Sequence, residues 1–582
     1  MALSAAPYTR PSPIWQVGTR NSDAETQLCQ ELGVSRILAA ILCQRGLTDS
    51  VAAHKFLHPS LGDFGDPETL PDYRPAVAAI LSARENKELI FVHGDYDVDG
   101  ITSSAILDRF LKSIGCQVYT HVPHRIREGY GIHTHAVDHA HEMGAKLFLT
   151  CDCGIAAHDQ VRKARELGMS VVVTDHHQIP EAIPEAQAVI NPHRPDSRYP
   201  ERELSGAGVV FRLCEGITKE LNHNVDSYRR AFLDLACLGT IADVMPLVGE
   251  NRIIAKFGLQ CLQETKKAGL KALMREAKVG QDPGKPLNSY NVGWHLGPRL
   301  NAAGRIEDAA NALKLLIERD DAVATQLAQA LEVINTERRT QTQLAVEEAT
   351  TIVIENRLHE QKVIVVSNPS WHGGIVGIVA GRLVERFCRP ALVVTVDEAT
   401  GACKGSARSI PNYHLADAIW AFPNLMTGGG HAMAAGCSFQ QKDLDAVRTA
   451  LNEYARDRLH PDDLVPKVGA DLEVESRELD DETVEELSLL EPFGCENQAP
   501  QFCAKSVDIA ALMPTKNPSH VRLRLKHRHQ TISAIAFGLG ERLAEVPVNA
   551  KLDFIFSAEI NEFRGERNMQ WQVKEFRPSA GP

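Results

Sequence analysis

Carboxylates and imidazoles recur in this chain at the ends of short apolar runs. His93, Asp95, Asp97 and Asp99 follow the run 89–92, and Asp152 follows 147–150. Asp175, His176 and His177 follow 171–174, and Asp243 closes the stretch Gly239-Thr240-Ile241-Ala242. Oxygen and imidazole donors of this kind are ligands for divalent cations such as Mg2+ and Mn2+. Two such ions, about 3.5–4 Å apart, need a bridging carboxylate and further ligands on each side; together they activate water and stabilise the charge of a displaced phosphoryl group. Asp152, on the middle strand, is the expected bridge. One acidic tripeptide would read as a solvated loop. Four clusters, each where an apolar element gives way to a loop, read as a metal site.

The elements that must position these groups follow from periodicity. Strands are expected at 89–92, 117–121, 146–150 and 170–174, with helices across 101–114, 133–143 and 156–167 between them. Such alternation predicts right-handed parallel units in a doubly wound sheet, whose ligands sit at the carboxyl ends of the strands. The first 85 residues, with turns at Pro11, Pro13, Pro59, Pro67, Pro71 and Pro75, read as a helical or irregular packing extension without chemistry. A polar helix is expected over 321–356, with Val323, Leu327, Leu331 and Ile334 as its apolar stripe, either a connector between lobes or a surface helix. Beyond it, strand 362–367, helix 377–387 and strand 391–396 outline a second small α/β domain. Five β-like segments between 506 and 576 indicate a small barrel.

Composition narrows the class. At 582 residues the chain is multidomain, and its 44% hydrophobic and 24% charged content is that of a soluble globular protein. No window approaches the roughly 18 consecutive apolar residues of a membrane span, and the start lacks a secretory signal, so a cytoplasmic location is expected. Thirteen cysteines without a Cys-x-x-Cys pair support neither a disulfide framework nor structural zinc. Cys151 and Cys153 flank Asp152 without a matching second pair and read as small buried hydrophobes. The net charge of −13 argues against a nonspecific polyanion binder, although carboxylates at a metal site are neutralised by the ions they hold.

The order Asp-x-Asp, lone Asp, Asp-His-His and a further Asp across residues 90–246 resembles the DHH phosphoesterase superfamily. The resemblance implies that Asp97 and Asp152 serve one ion, and that Asp99, Asp152, His176 and Asp243 serve its partner. His93 or Asp95 would complete the ligands; this chain has both, which leaves their roles open. Asp175 and His177 would orient ligands or touch the phosphate.

Longer motifs are similar to those of the RecJ single-strand DNA exonucleases. They are Gly297-Pro298-Arg299-Leu300-Asn301-Ala302-Ala303-Gly304-Arg305, the stretch Arg125 to Gly131, Lys404-Gly405-Ser406-Ala407-Arg408-Ser409, Gly428-Gly429-Gly430-His431-Ala432 and Glu562-Phe563-Arg564-Gly565. In family order they extend the resemblance over about residues 85–575. Ser406 and Arg408 resemble the family's clamp on a terminal 5′ phosphate, for which a guanidinium fork is suited. Arg125, Arg299 and Arg305 could grip neighbouring phosphates, and Tyr130 could stack on a base. Gly428, Gly429 and Gly430 would let backbone N–H groups approach an anion, with His431 adding a hydrogen bond. Singly, each arginine reads equally as a surface ion pair and the glycine run as a structural turn. Trp371 reads as buried packing. Arg522, Arg524, Lys526 and Arg528 alternate along one barrel strand and its turn, either as a single-strand track or as a charged edge.

The fold class implied is multidomain α/β: an N-terminal extension (1–85), a parallel-sheet DHH domain (86–310), a helical connector (311–358), a DHH-associated α/β domain (359–460) and a C-terminal OB-type β-barrel (465–578). The function implied is 5′ to 3′ hydrolysis of single-stranded DNA to mononucleotides, in DNA repair and recombination, with two Mn2+ or Mg2+ ions. A helicase and a single-strand-binding protein are expected partners, with no membrane association and a monomeric state. Two other readings stay open: a phosphodiesterase for oligonucleotides or cyclic dinucleotides, and a noncatalytic DNA-binding scaffold of the same fold.

Overall fold

The computed structural model describes residues 8, 10–125, 127–282, 284–563 and 566–579; Ile126, Arg564 and Gly565 of the motifs above lie outside the described residues. The chain divides into two compact units, one built mainly from Gly65–Met245 and Ile254–Pro466, the other from Pro13–Phe64, Pro246–Ile253 and Lys467–Pro582.

In the first unit, five strands form a wholly parallel sheet in the order Gln117–His121, Leu89–His93, Leu147–Thr150, Ser170–Thr174, Ala188–Ile190. Helices cover both faces, so the strands are buried apolar runs rather than alternating ones, apart from the partly exposed edge strand Gln117–His121. Phe91, Phe148 and Val172 are fully enclosed. Register sets His93 opposite both His121 and Thr150, so the polar residues that follow each strand emerge along one edge. The helix after strand Leu89–His93, Val98–Ser113, starts three residues earlier than its apolar pattern predicts because Asp97 caps it. Helices Gly206–Glu220 and Val225–Ala242 pack against it, and the short strand Ala188–Ile190 and this helical layer went unforeseen in the sequence.

The long helix is present as Asp321–Glu355. Leu331 and Ile334 of the predicted stripe are buried, but Val323 is 42% exposed and Leu327 only partly covered, with Ala324 and Ala328 buried in their place. Small alanines let neighbouring helices approach closely, an advantage that hydrophobicity alone underrates. Its C-terminal half contributes Ala345, Ala349 and Val353 to the core of the next domain, so it belongs to both lobes of this unit. That domain is a five-stranded mixed sheet in the order Thr427–Gly430, Ala434–Gln440, Ala402–Arg408, Ala391–Val396, Ile364–Ser367, with only the last pair parallel.

The second unit is a closed barrel. Strands Phe502–Pro514, Val521–His527, Gln530–Ala536, Glu566–Pro578 and Lys551–Phe563 pair in that order, and the last returns to the first. Residues read as a helical or irregular packing extension join it: Ile14–Val17 pairs in parallel with Lys467–Ala470, and helices Ser22–Leu32 and Arg36–Gln44 place Leu28, Leu38 and Ile41 in its core. Arg252 is buried and spends its guanidinium on the carbonyls of Phe56, Leu490 and Glu491, which binds the short segment Pro246–Ile253 to this unit. Along Val521–His527 burial alternates strictly, leaving Arg522, Arg524 and Lys526 outward, while Arg528 in the turn pairs with Glu475.

Trp571 is fully enclosed in the barrel and stacks on Phe556 with ring centroids 3.6 Å apart. Trp571→Ala is expected to destabilise the barrel by about 3–5 kcal/mol. Urea unfolding followed by circular dichroism should show one transition moved to lower denaturant while that of the first unit stays in place.

Candidate metal centre

The predicted clusters meet at the carboxyl edge of the parallel sheet. His176 Nε2 lies 3.0 Å from Asp152 Oδ1, 3.7 Å from Asp243 Oδ2 and 3.8 Å from Asp99 Oδ2. Ligand atoms of Asp95, Asp97 and Asp152 lie within 4.8 Å of one another, as do those of Asp99, His176 and Asp243 and those of Asp152, His176 and His177. Among the described residues His93 joins no such group; it is buried, with Nε2 3.4 Å from the Gly131 carbonyl.

Local chemistry holds these side chains in place. Asp97 accepts a hydrogen bond from Gly100 N at 3.0 Å, and Asp99, in the first turn of the same helix, accepts from the backbone N–H groups of Gly206 and Ala207. Those donors are the start of helix Gly206–Glu220, where the backbone dipole favours a carboxylate. Asp152 adopts φ +60°, a conformation that non-glycine residues rarely hold without a surrounding structure that imposes it. A side chain at Gly206 would come within 2.6 Å of the Asp152 Cβ, so only glycine leaves room for that carboxylate. Sequence reading missed Ser205, Gly206 and Ala207; the signal was an N-cap serine before Gly206 at the start of an apolar helix.

Electrostatics show what the cluster lacks. Burial, followed by repulsion from neighbouring carboxylates, pushes Asp99 up to about 7 and Asp243 up to about 8. The same causes hold Asp95 and Asp152 well above the usual carboxylate range. Burial lowers His176 to about 4 and His93 to about 3, which keeps both rings neutral and able to offer a lone pair. Asp152 Oδ1, Asp95 Oδ1 and His93 Nδ1 are buried without a hydrogen bond among the described residues. Unpaired acceptors gathered this closely repel one another, and divalent cations satisfy them. The donor set therefore fits metal ions.

Asp175 points elsewhere. Its Oδ2 accepts from Ile155 N at 2.9 Å, and its Oδ1 from His176 N at 2.8 Å and His177 Nδ1 at 2.7 Å. Burial works against the His177 cation, yet the hydrogen bond and charge of Asp175 outweigh it and raise His177 to about 9. Tyr130 is 50% exposed, with its hydroxyl 3.2 Å from His177 Nδ1.

A group of guanidinium side chains adjoins this edge. Gly304 packs on the Tyr96 carbonyl, Arg125 lies over the Tyr96 ring at 4.8 Å, and Arg305 donates to the Gly374 carbonyl at 3.2 Å. Arg408 donates to Ser406 Oγ at 3.2 Å and to the Ala407 carbonyl at 2.8 Å. Burial, with Arg125, Arg338 and Arg408 nearby, lowers Arg305 to about 9, against the opposing pull of Asp97. Arg338 was not foreseen. Arg299 stands apart, since it pairs with Glu332 of the long helix at 2.5 Å. Gly428 and Gly430 have φ of 158° and 146°, and a Cβ on Gly430 would run into Ala434 and Ala435, so tight strand pairing accounts for these glycines. Gly429 packs beside Trp420, and His431 at the end of that strand is exposed. Trp371 is buried and donates to Glu348 at 2.8 Å.

A parallel sheet with clustered carboxylates and neutral imidazoles at its carboxyl edge, followed by a small mixed-sheet domain, defines a phosphoesterase of the DHH type. The DHH family, N-terminal domain matches residues 89–240, the DHHA1 domain 360–457 and the RecJ OB domain 470–575. The single-stranded-DNA-specific exonuclease RecJ of Bacillus subtilis (strain 168) is 34% identical over 563 residues, covering 96% of this chain and 70% of that protein. The crystal structure of RecJ in complex with Mn2+ from Thermus thermophilus superposes with a TM-score of 0.81 at 28% identity, covering 97% of this chain and 80% of that one. The Mg2+ complex from the same organism gives 0.76 at 27%, covering 97% and 79%. The chain belongs to the RecJ family of single-stranded-DNA-specific exonucleases.

Two outcomes follow from the site. Gly206→Ala should leave the fold intact and lower hydrolysis about a hundredfold or more, because a displacement near 1 Å at a reacting centre has that effect; turnover on a single-stranded oligonucleotide measures it. The raised Asp99, Asp243 and His177 groups bind protons more tightly in the native state than in the unfolded one, so between pH 6.5 and about 8.5 stability falls as pH rises. Melting in chelator should show that slope, Mn2+ should raise the melting temperature more at the upper pH, and Asp243→Asn should flatten the chelator slope.

Proposed function

We propose that this chain hydrolyses single-stranded DNA from its 5′ end and releases mononucleotides. The observation that carries the reading is the juxtaposition of unpaired acidic acceptors with excess guanidinium charge around Asp97: the first calls for divalent cations, the second for a polyanion. Asp95, Asp97 and Asp152 would hold one ion, and Asp99, Asp152, His176 and Asp243 the other. Bound there, the ions supply activation of water and neutralisation of phosphate charge.

The remaining roles belong to side chains of this chain. His177, anchored by Asp175 and carrying its proton up to about pH 9, offers an N–H to a phosphate oxygen. Ser406 and Arg408 grip the terminal 5′ phosphate, while Arg125 and Arg305 take neighbouring phosphates. Arg299 is left out of this set because Glu332 already neutralises it. The half-exposed Tyr130 ring stacks on a base, and His431 beside Gly428–Gly430 adds a donor to the strand. Arg522, Arg524 and Lys526 extend backbone contact on the barrel. Work on damaged or recombining DNA in the cytoplasm, as a monomer, beside a helicase and a single-strand-binding protein, completes the reading. Among the described residues no helix is long and apolar enough to cross a membrane.

A time course on end-labelled strands tests the reading. Long single strands with Mn2+ should yield mononucleotides from the 5′ end, with duplex spared and cleavage absent in chelator. Preference for dinucleotides over long strands would favour a small-substrate phosphodiesterase instead. Arg408→Ala should slow degradation of 5′-phosphorylated strands by about tenfold or more and change strands lacking that phosphate far less. Equal loss on both would show that Arg408 does not hold the end.

A further inference from the structure

A cavity of about 920 Å³ lies at the opposite ends of two helices that carry acidic residues of the cluster. It is walled by the C-terminal end of Val98–Ser113, through Arg109 and Phe110, and by the N-terminal half of Val225–Ala242, through Tyr228 and Phe232. Asp97 and Arg109 are twelve residues apart on one helix, which separates the cavity from the cluster by about 18 Å.

Its charge is unbalanced. Asp234 on the wall is already neutralised, with Lys267 Nζ at 2.8 Å from each oxygen and Thr265 Oγ1 at 2.8 Å. That leaves Arg109, Arg230, Lys266 and Arg319 against Glu264. Among the described residues no carboxylate forms an ion pair with any of these four. Arg109 donates to the Leu316 carbonyl at 3.1 Å, and burial together with the like charge of Arg319 depresses its guanidinium. On a chain of net charge −13, a concave surface with surplus cations is out of keeping with its surroundings. Phe110, Tyr228 and Phe232 also line the cavity, where Phe110 meets the other two edge to face, at 5.5 and 6.1 Å, and supplies an apolar floor.

We propose that this cavity binds a nucleotide-class anion, a phosphate carried on an aromatic ring system, at a site separate from the carboxylate cluster. Guanidinium forks suit the phosphate, the aromatic floor suits the ring, and the volume is that of a small-molecule site. A bare carboxylate ligand would leave most of the apolar floor unused.

The test is calorimetric titration of the full chain in chelator with deoxythymidine 5′-monophosphate, and with deoxythymidine alone. The nucleotide should bind, and the nucleoside about tenfold more weakly or worse. The exposed pair Arg230→Glu with Arg319→Glu should weaken the nucleotide by about tenfold or more, Lys266→Glu alone by less, and Arg408→Ala not at all. Absence of binding would overturn the proposal. So would binding that survives the charge reversals and disappears in Arg408→Ala, because the nucleotide would then occupy the proposed DNA cleft.

Discussion

Like charges held in a buried space set the terms for this molecule. Two carboxylates 4 Å apart repel by about 4 kcal/mol at an effective dielectric constant near 20, and here Asp95, Asp97, Asp99, Asp152 and Asp243 share one edge of one sheet. Nothing in their mutual interaction favours that arrangement; the rest of the fold imposes it. Parallel pairing fixes where the strands end, Asp97 starts a helix, and the amides of Gly206 and Ala207 secure Asp99. The strained backbone of Asp152 and the missing side chain at Gly206 belong to the same solution. Local rules broken together at one spot are the mark of a functional site, and divalent cations supply what the protein withholds.

The guanidinium group inverts this imbalance. Burial, followed by the charge of Arg125, depresses both Arg305 and Arg408, and Asp97 of the cluster eases Arg305. A phosphate backbone that enters beside divalent cations answers both excesses at once. The cluster is therefore costly to the empty chain and suited to the loaded one, which is the sense in which stability and activity oppose each other here.

Much of this was legible in the residues, for identifiable reasons. Buried parallel strands such as 89–93, 147–150 and 170–174 announce themselves as apolar runs, and the ligands sit at their ends or directly after them, so the cluster could be assembled from adjacency alone. What stayed hidden depended on partners distant in sequence. The Asp99 cradle comes from residues 206 and 207, and Arg299 looked available until Glu332, 33 positions away, took it up. The long helix buries Ala324 and Ala328 where Val323 had seemed the better choice, because close packing rewards small side chains. Strand Ile14–Val17 finds its partner beyond residue 466, a pairing that no local pattern encodes.

The most direct measurement is the number of Mn2+ ions bound by the whole chain and by Asp152→Asn, read by calorimetry on protein whose circular dichroism matches the parent. Because both halves of the cluster close on Asp152, the parent should take two ions, and the variant should lose at least one and hold any remaining ion more weakly. A folded variant that still binds two ions with parental affinity would contradict the shared-carboxylate centre from which the account is built.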